Sequence, residues 1–166
     1  MYCMVLCSKE KEREVTTMTN AIYFDMDGTI ANLYGVDTWL DDILARDTRP
    51  YDNAKTMVRM SNLARLLNIL QTKGTVIGIV SWLAKDSPTE YDERVANAKR
   101  KWLATHLPSV EWNEIHIVAY GTPKHTVVDV PTGILFDDEK PNRDSWLGMA
   151  FDECQIMEVL RELNSL

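Results

Sequence analysis

Apolar residues fall into two rhythms along this chain, short unbroken runs and stripes at spacings of three and four, and the two alternate. Residues 21–24, Ala-Ile-Tyr-Phe, form a run rich in β-branched and aromatic side chains, as a strand buried on both faces requires. Residues 75–80, 115–119 and 133–136 repeat that character and predict three further strands. Met57, Met60, Leu63, Leu67 and Leu70 predict a helix over residues 53–73 that Gly74 ends. Tyr91, Val95, Ala98 and Trp102 predict a second helix, closed by Pro108. Ser87-Pro88-Thr89-Glu90 opens it with the capping-box pattern and proline at the first helical position. Ile156, Val159, Leu160 and Leu163 stripe a last helix over residues 152–163. Between the first strand and the first long helix lies a short excursion, residues 31–52, with Asp37 as a cap and Trp39, Leu40, Ile43 and Leu44 on one helical face.

Strands alternating with helices predict an α/β fold, a three-layer Rossmann-like sandwich around a mostly parallel sheet. Ligands of such sheets gather outside the carboxyl ends of the strands. Polar residues follow strand after strand at that edge: Asp25 and Asp27, then Ser81, then Lys124 nearby, then Asp137 and Asp138.

The composition narrows the setting. A chain of 166 residues, 45% hydrophobic and 26% charged, is one soluble-type domain with a sizeable core. Its net charge of −7 argues against stable binding to nucleic acid or an anionic membrane, while a local cation can still receive a small anion. No apolar run approaches the ~20 residues of a membrane helix. Cys3, Cys7 and Cys154 lack zinc-like spacing and fit a reducing cytoplasm. Residues 1–19 read as a poorly structured extension of the domain at 20–166, with Met18 as an alternative start.

Asp25 and Asp27 stand one residue apart at a strand end, and carboxylates this close repel unless a cation or a shared proton lies between them. The Gly28-Thr29 turn lets backbone N–H groups crowd an anion. The Ser81 hydroxyl and the N–H of Trp82 suit a phosphate oxygen, and Lys124 supplies the counter-charge. Several converging carboxylate oxygens suit a hard octahedral cation, Mg²⁺ foremost. With charge so neutralised, a carboxylate can attack phosphorus while its neighbour handles the protons.

These pieces, Asp25-Met26-Asp27-Gly28-Thr29, Ser81, Lys124 and Asp137-Asp138, stand in an order that resembles the haloacid dehalogenase-like (HAD) phosphohydrolases over about residues 20–150. The resemblance implies Asp25 as nucleophile and Asp27 as general acid/base. It implies Mg²⁺ held by Asp25, the Asp27 carbonyl and Asp138, with Asp137 in support, and a phosphoryl group bound by Ser81 and Lys124. The runs Lys101-Trp102-Leu103, Pro123-Lys124-His125 and Leu135-Phe136-Asp137-Asp138 look like the 5′(3′)-deoxyribonucleotidase type. The chain departs from that group in its minimal cap insertion at about residues 31–52 and in Trp82 where proline is usual.

The expectation is a cytoplasmic Mg²⁺-dependent phosphomonoesterase, with a deoxynucleoside monophosphate as first substrate. Trp39 and Trp82 are candidates to stack on its base, and His125 to tune the site. Phosphatases of sugar phosphates or nucleic-acid ends, and a non-catalytic module of the same architecture, are the alternatives.

Overall fold

A computed structural model describes residues 21–166; the expectations for residues 1–19, with Met18, Cys3 and Cys7, lie outside the described residues. In chain order the strands are β1 (Ala21–Phe24), β2 (Ala31–Asn32), β3 (Lys55–Thr56), β4 (Val76–Trp82), β5 (Glu114–Val118), β6 (Ile134–Phe136) and β7 (Ala150–Phe151). The helices are α1 (Trp39–Leu44), α2 (Arg49–Asn53), α3 (Met60–Thr72), α4 (Thr89–His106), α5 (Lys140–Ser145) and α6 (Ile156–Ser165). Among the described residues no helix is long and apolar enough to cross a membrane.

Among the described residues five strands form one sheet in the order β5-β4-β1-β6-β7, every pair parallel. All four residues of β1 are fully buried, as the centre of a sheet covered on both faces demands. Alternation sends Ile22 and Phe24 to one face, against Leu63 and Leu67 of α3, Trp102 and Leu103 of α4, and Ile156 and Leu160 of α6. Ala21 and Tyr23 face the other way, against Val128 and Trp146. The two covering layers are therefore unequal: long helices on one side, and on the other a loop with a single 3₁₀ turn, Lys124–Thr126, beside the residues around α5.

From β1 the chain steps to β4 and β5 on one side, then returns to β6 and β7 on the other. That reversal leaves a crevice at the carboxyl end of β1, where Asp25 and Asp27 stand.

Several sequence-based boundaries move. Residues 54–59 are not helix: Lys55 and Thr56 pair antiparallel with Asn32 and Ala31. The small ribbon brackets the excursion, and α3 starts only at Met60, leaving Met57 exposed. Within the excursion Thr38 rather than Asp37 takes the N-cap position of α1, its hydroxyl donating to Asp42 Oδ2, and Leu40 and Leu44 are exposed. The helix α2, which begins on Arg49-Pro50, goes unseen in an apolar pattern because only Pro50 and Tyr51 of its five residues are buried. Pro88 is the N-cap of α4 rather than its first residue, and the Ser87 hydroxyl turns back to the Ala84 carbonyl at 2.8 Å instead of capping the helix. A fifth strand, β7, lies in what reads as polar loop; two residues suffice because its backbone lies along β6. Gly74, at φ +87°, follows the end of α3 as expected.

Candidate active site

The sheet ladder itself sets the first carboxylate. The N–H of Asp25 donates to the Phe136 carbonyl at 2.9 Å, so β1 is still paired with β6 where its side chains turn polar. The chain then reverses around Met26, whose carbonyl accepts from the N–H groups of Thr29, Ile30 and Ala31 at 3.2, 3.0 and 2.9 Å. Gly28 sits in this turn at φ +77°, and a side-chain carbon there would overlap the Asp138 carboxylate and the Tyr34 ring. Both requirements select glycine.

At the neighbouring strand end the Asp137 N–H donates to the Phe151 carbonyl at 3.1 Å, which fixes the Asp137-Asp138 pair against β7. Thr29, fully buried, links the two strand ends: its hydroxyl donates to Asp138 Oδ1 and accepts from the Asp138 N–H, each at 3.1 Å. The Asn142 amide donates to both Asp137 oxygens at 3.2 Å, and Arg143 Nη1 donates to the carbonyls of Asp137 and Asp138 at 2.7 Å. These two residues carry no motif signal; they work because the first turns of α5 start directly after the carboxylates.

Lys124, at the start of its 3₁₀ turn, is buried with its ammonium 2.8 Å from Asp25 Oδ1 and 2.6 Å from Asp137 Oδ2. Oxygens of Asp25, Asp137 and Asp138 all lie within 4.8 Å of one another. Residues 25 and 138, far apart in sequence, thus meet at one rim. Three hard oxygen donors at this separation could hold a divalent cation. Scans of the sequence against protein-family models and against curated proteins found no match. The geometry therefore carries the functional reading.

The other expected residues divide. Asp27 is not one of the trio: its Oδ2 pairs with the Lys99 ammonium at 2.7 Å, while the residue still lines the cavity. Trp82 lines the cavity, but its indole N–H is spent on the Thr122 carbonyl at 2.8 Å; its ring lies 5.2 Å from the Lys124 ammonium and packs on Tyr120. Ser81 is fully buried and not among the residues lining the cavity. Its hydroxyl accepts from Lys99 at 2.9 Å, because Ser81 is still inside β4 rather than in the turn beyond it. His125 likewise does not line the cavity. Trp39 does, edge-on to Tyr34 with ring centres 5.0 Å apart.

The cavity over these residues has a volume of about 510 Å³. Its floor is Asp25, Asp27, Lys124 and Asp138, and its walls include Tyr34, Trp39, Tyr51, Trp82 and Tyr120.

Electrostatics agree with an anionic nest awaiting positive charge. Burial, then repulsion from Asp25 and Asp137, pushes the Asp138 carboxyl up to about 7. Burial and Asp25 raise Asp137 to about 6 against the pull of Lys124. Burial also raises Asp27, with Lys99 opposing. For Lys124 burial works toward the neutral amine, but Asp25 and Asp137 outweigh it and raise its pKa, so the side chain stays charged.

Lys99 is the residue that the sequence motifs miss. One signal was there: it falls four residues after Val95, in phase with the apolar stripe of α4. A lysine on a buried face must find a partner.

Proposed function

We propose that this protein is a HAD-like, Mg²⁺-dependent phosphomonoester hydrolase acting in the reducing cytoplasm, with a deoxynucleoside 5′-monophosphate as its first candidate substrate. The observation that carries the proposal is the meeting of Asp25, Asp137 and Asp138 within 4.8 Å around the buried Lys124. Asp25 is the nucleophile: one of its oxygens bonds to phosphorus as the bond to the leaving oxygen breaks. Asp27 gives that oxygen its proton, then takes one from the water that attacks the aspartyl-phosphate, freeing Asp25 and inorganic phosphate. Lys124 holds Asp25 in place and, buried at the cavity floor, faces the charge of the transferring group. The donor set of Asp25, the Asp27 carbonyl and Asp138, backed by Asp137, fits Mg²⁺, which when bound would offset charge on the phosphoryl oxygens.

The aromatic walls favour a substrate with a ring over a bare sugar phosphate. Tyr34, Trp39, Trp82 and Tyr120 line the same cavity as Asp25 and Lys124, and aromatic faces there suit stacking on a base. The test is phosphate release from a panel of nucleotides, sugar phosphates and phosphorylated oligonucleotide ends, with Mg²⁺ and with chelator. Nucleotide turnover that chelator stops is expected. Asp25→Asn should remove turnover by a factor of at least about 10³ with an unchanged fold by circular dichroism. Turnover retained in that variant would overturn the mechanism, and preference for sugar phosphates would overturn the substrate.

A further inference from the structure

Lys99 lies on α4, 1% exposed, with its ammonium inserted beneath the cavity floor. Its Nζ donates to Asp27 Oδ2 at 2.7 Å, to Ser81 Oγ at 2.9 Å and to the Trp82 carbonyl at 2.7 Å. An ammonium has three N–H bonds, and all three are used, so the group has a single orientation. The Tyr51 ring, 5.5 Å from Nζ, closes a further side. Two of the three acceptors belong to the end of β4, which is rigid sheet, whereas Asp27 stands in the turn after β1. Lys99 therefore ties a turn carboxylate to a strand end. It engages only one oxygen of Asp27, leaving Oδ1 for the cavity that Asp27 lines.

Nothing in the nucleophile's own surroundings needs this lysine. Asp25 has Lys124, and Asp137 has Lys124 and Asn142. Burying a second cation is costly unless its geometry is fully satisfied. Helix α4 already has Tyr91, Val95, Trp102 and Leu103 to hold it down. We infer that Lys99 is a positioning residue, fixing the Asp27 carboxylate at the place from which it hands a proton to the leaving oxygen.

This inference rests on the phosphohydrolase reading, and its test separates the two. A leaving group that departs as a stable anion needs no proton, whereas a poor one does, so a misplaced acid shows in the ratio of the two. The measurement is kcat/KM, with Mg²⁺, on 2,4-dinitrophenyl phosphate and on phenyl phosphate for the wild type, Lys99→Met, Asp27→Asn and the double variant. For Lys99→Met the expected loss is about 10- to 100-fold on phenyl phosphate, a part of what a general acid supplies, with a far smaller loss on the dinitrophenyl ester. In the Asp27→Asn background the lysine change should add no further loss on phenyl phosphate. Equal losses on both esters would mean that Lys99 only holds the fold together, and would overturn the inference while leaving the hydrolase reading intact. A wild type that hydrolyses neither ester overturns the hydrolase reading and the inference with it. Should Lys99→Met fail to fold, Lys99→Ala, which removes every donor and leaves room for water, is read by the same ratio; an unchanged ratio there overturns the inference.

Discussion

Asp138 is held in two opposed ways. The Thr29 hydroxyl favours its charged form, while burial and its acidic neighbours favour the neutral form and raise its pKa to about 7. A carboxyl whose pKa rises on folding binds more protons in the native than in the unfolded state between its ordinary value near 4 and its raised one. The contribution of Asp138 to the stability of the metal-free protein should therefore fall as pH rises from about 4 to 7 and level off beyond. A divalent cation reverses this, because it binds the deprotonated carboxylates of the native state alone. The melting temperature measured with and without millimolar Mg²⁺ should show a larger rise at pH 8 than at pH 5.5, and Asp138→Asn should remove most of it. At this scale the carboxylates were legible from sequence because they follow apolar runs, and strand ends are fixed by the ladder, whereas Lys124 stands beyond β5 at a 3₁₀ turn. Ser81 stands at the end of β4, as expected, but paired with Ile117 it is still inside the ladder, and the burial of its hydroxyl under Lys99 leaves no trace in the sequence pattern.

The excursion after β1 is fastened to α4 along its length. Trp102 Nε1 donates to the Ala54 carbonyl at 2.7 Å, the Tyr91 hydroxyl to the Asp47 carbonyl at 2.8 Å, and Arg94 to the Arg46 carbonyl at 3.1 Å. Leu33 and Tyr51 pack in the same cluster as Tyr91, Val95 and Ala98. Walls tied down in this way form a pocket before any ligand arrives, which reduces the ordering cost of binding. Trp102→Phe keeps the ring but strands the buried Ala54 carbonyl, so it should cost about 1–3 kcal/mol in urea unfolding. Amide exchange should accelerate over residues 33–54 more than over β1 or β4. The existence of this segment was legible from its interruption of the strand–helix alternation. Its ends were not, since strands as short as β2 and β3 leave no periodic trace and owe their form to each other.

Across the whole molecule, the order of the strands does what no local pattern can. Five parallel strands with β1 at the centre bring residues from four chain segments to one edge, and the fully buried run at residues 21–24 announces which strand is central. Sequence rhythm predicts the alternation and hence the parallel sheet, but the unequal covering layers follow from tertiary packing on Tyr23 and Trp146, whose rings meet edge to face 5.7 Å apart. The enclosure of the two site lysines has a practical side. Side chains of Lys101 and Lys140 are 78% and 73% accessible, against 1% for Lys99 and 3% for Lys124. Limited acetylation with an amine-reactive ester, followed by peptide mass spectrometry, should mark Lys101 and Lys140 and spare the other two. A dye or a resin would then attach through outer amines, Lys85 at the cavity rim among them, while the two amines at the centre stay unmodified.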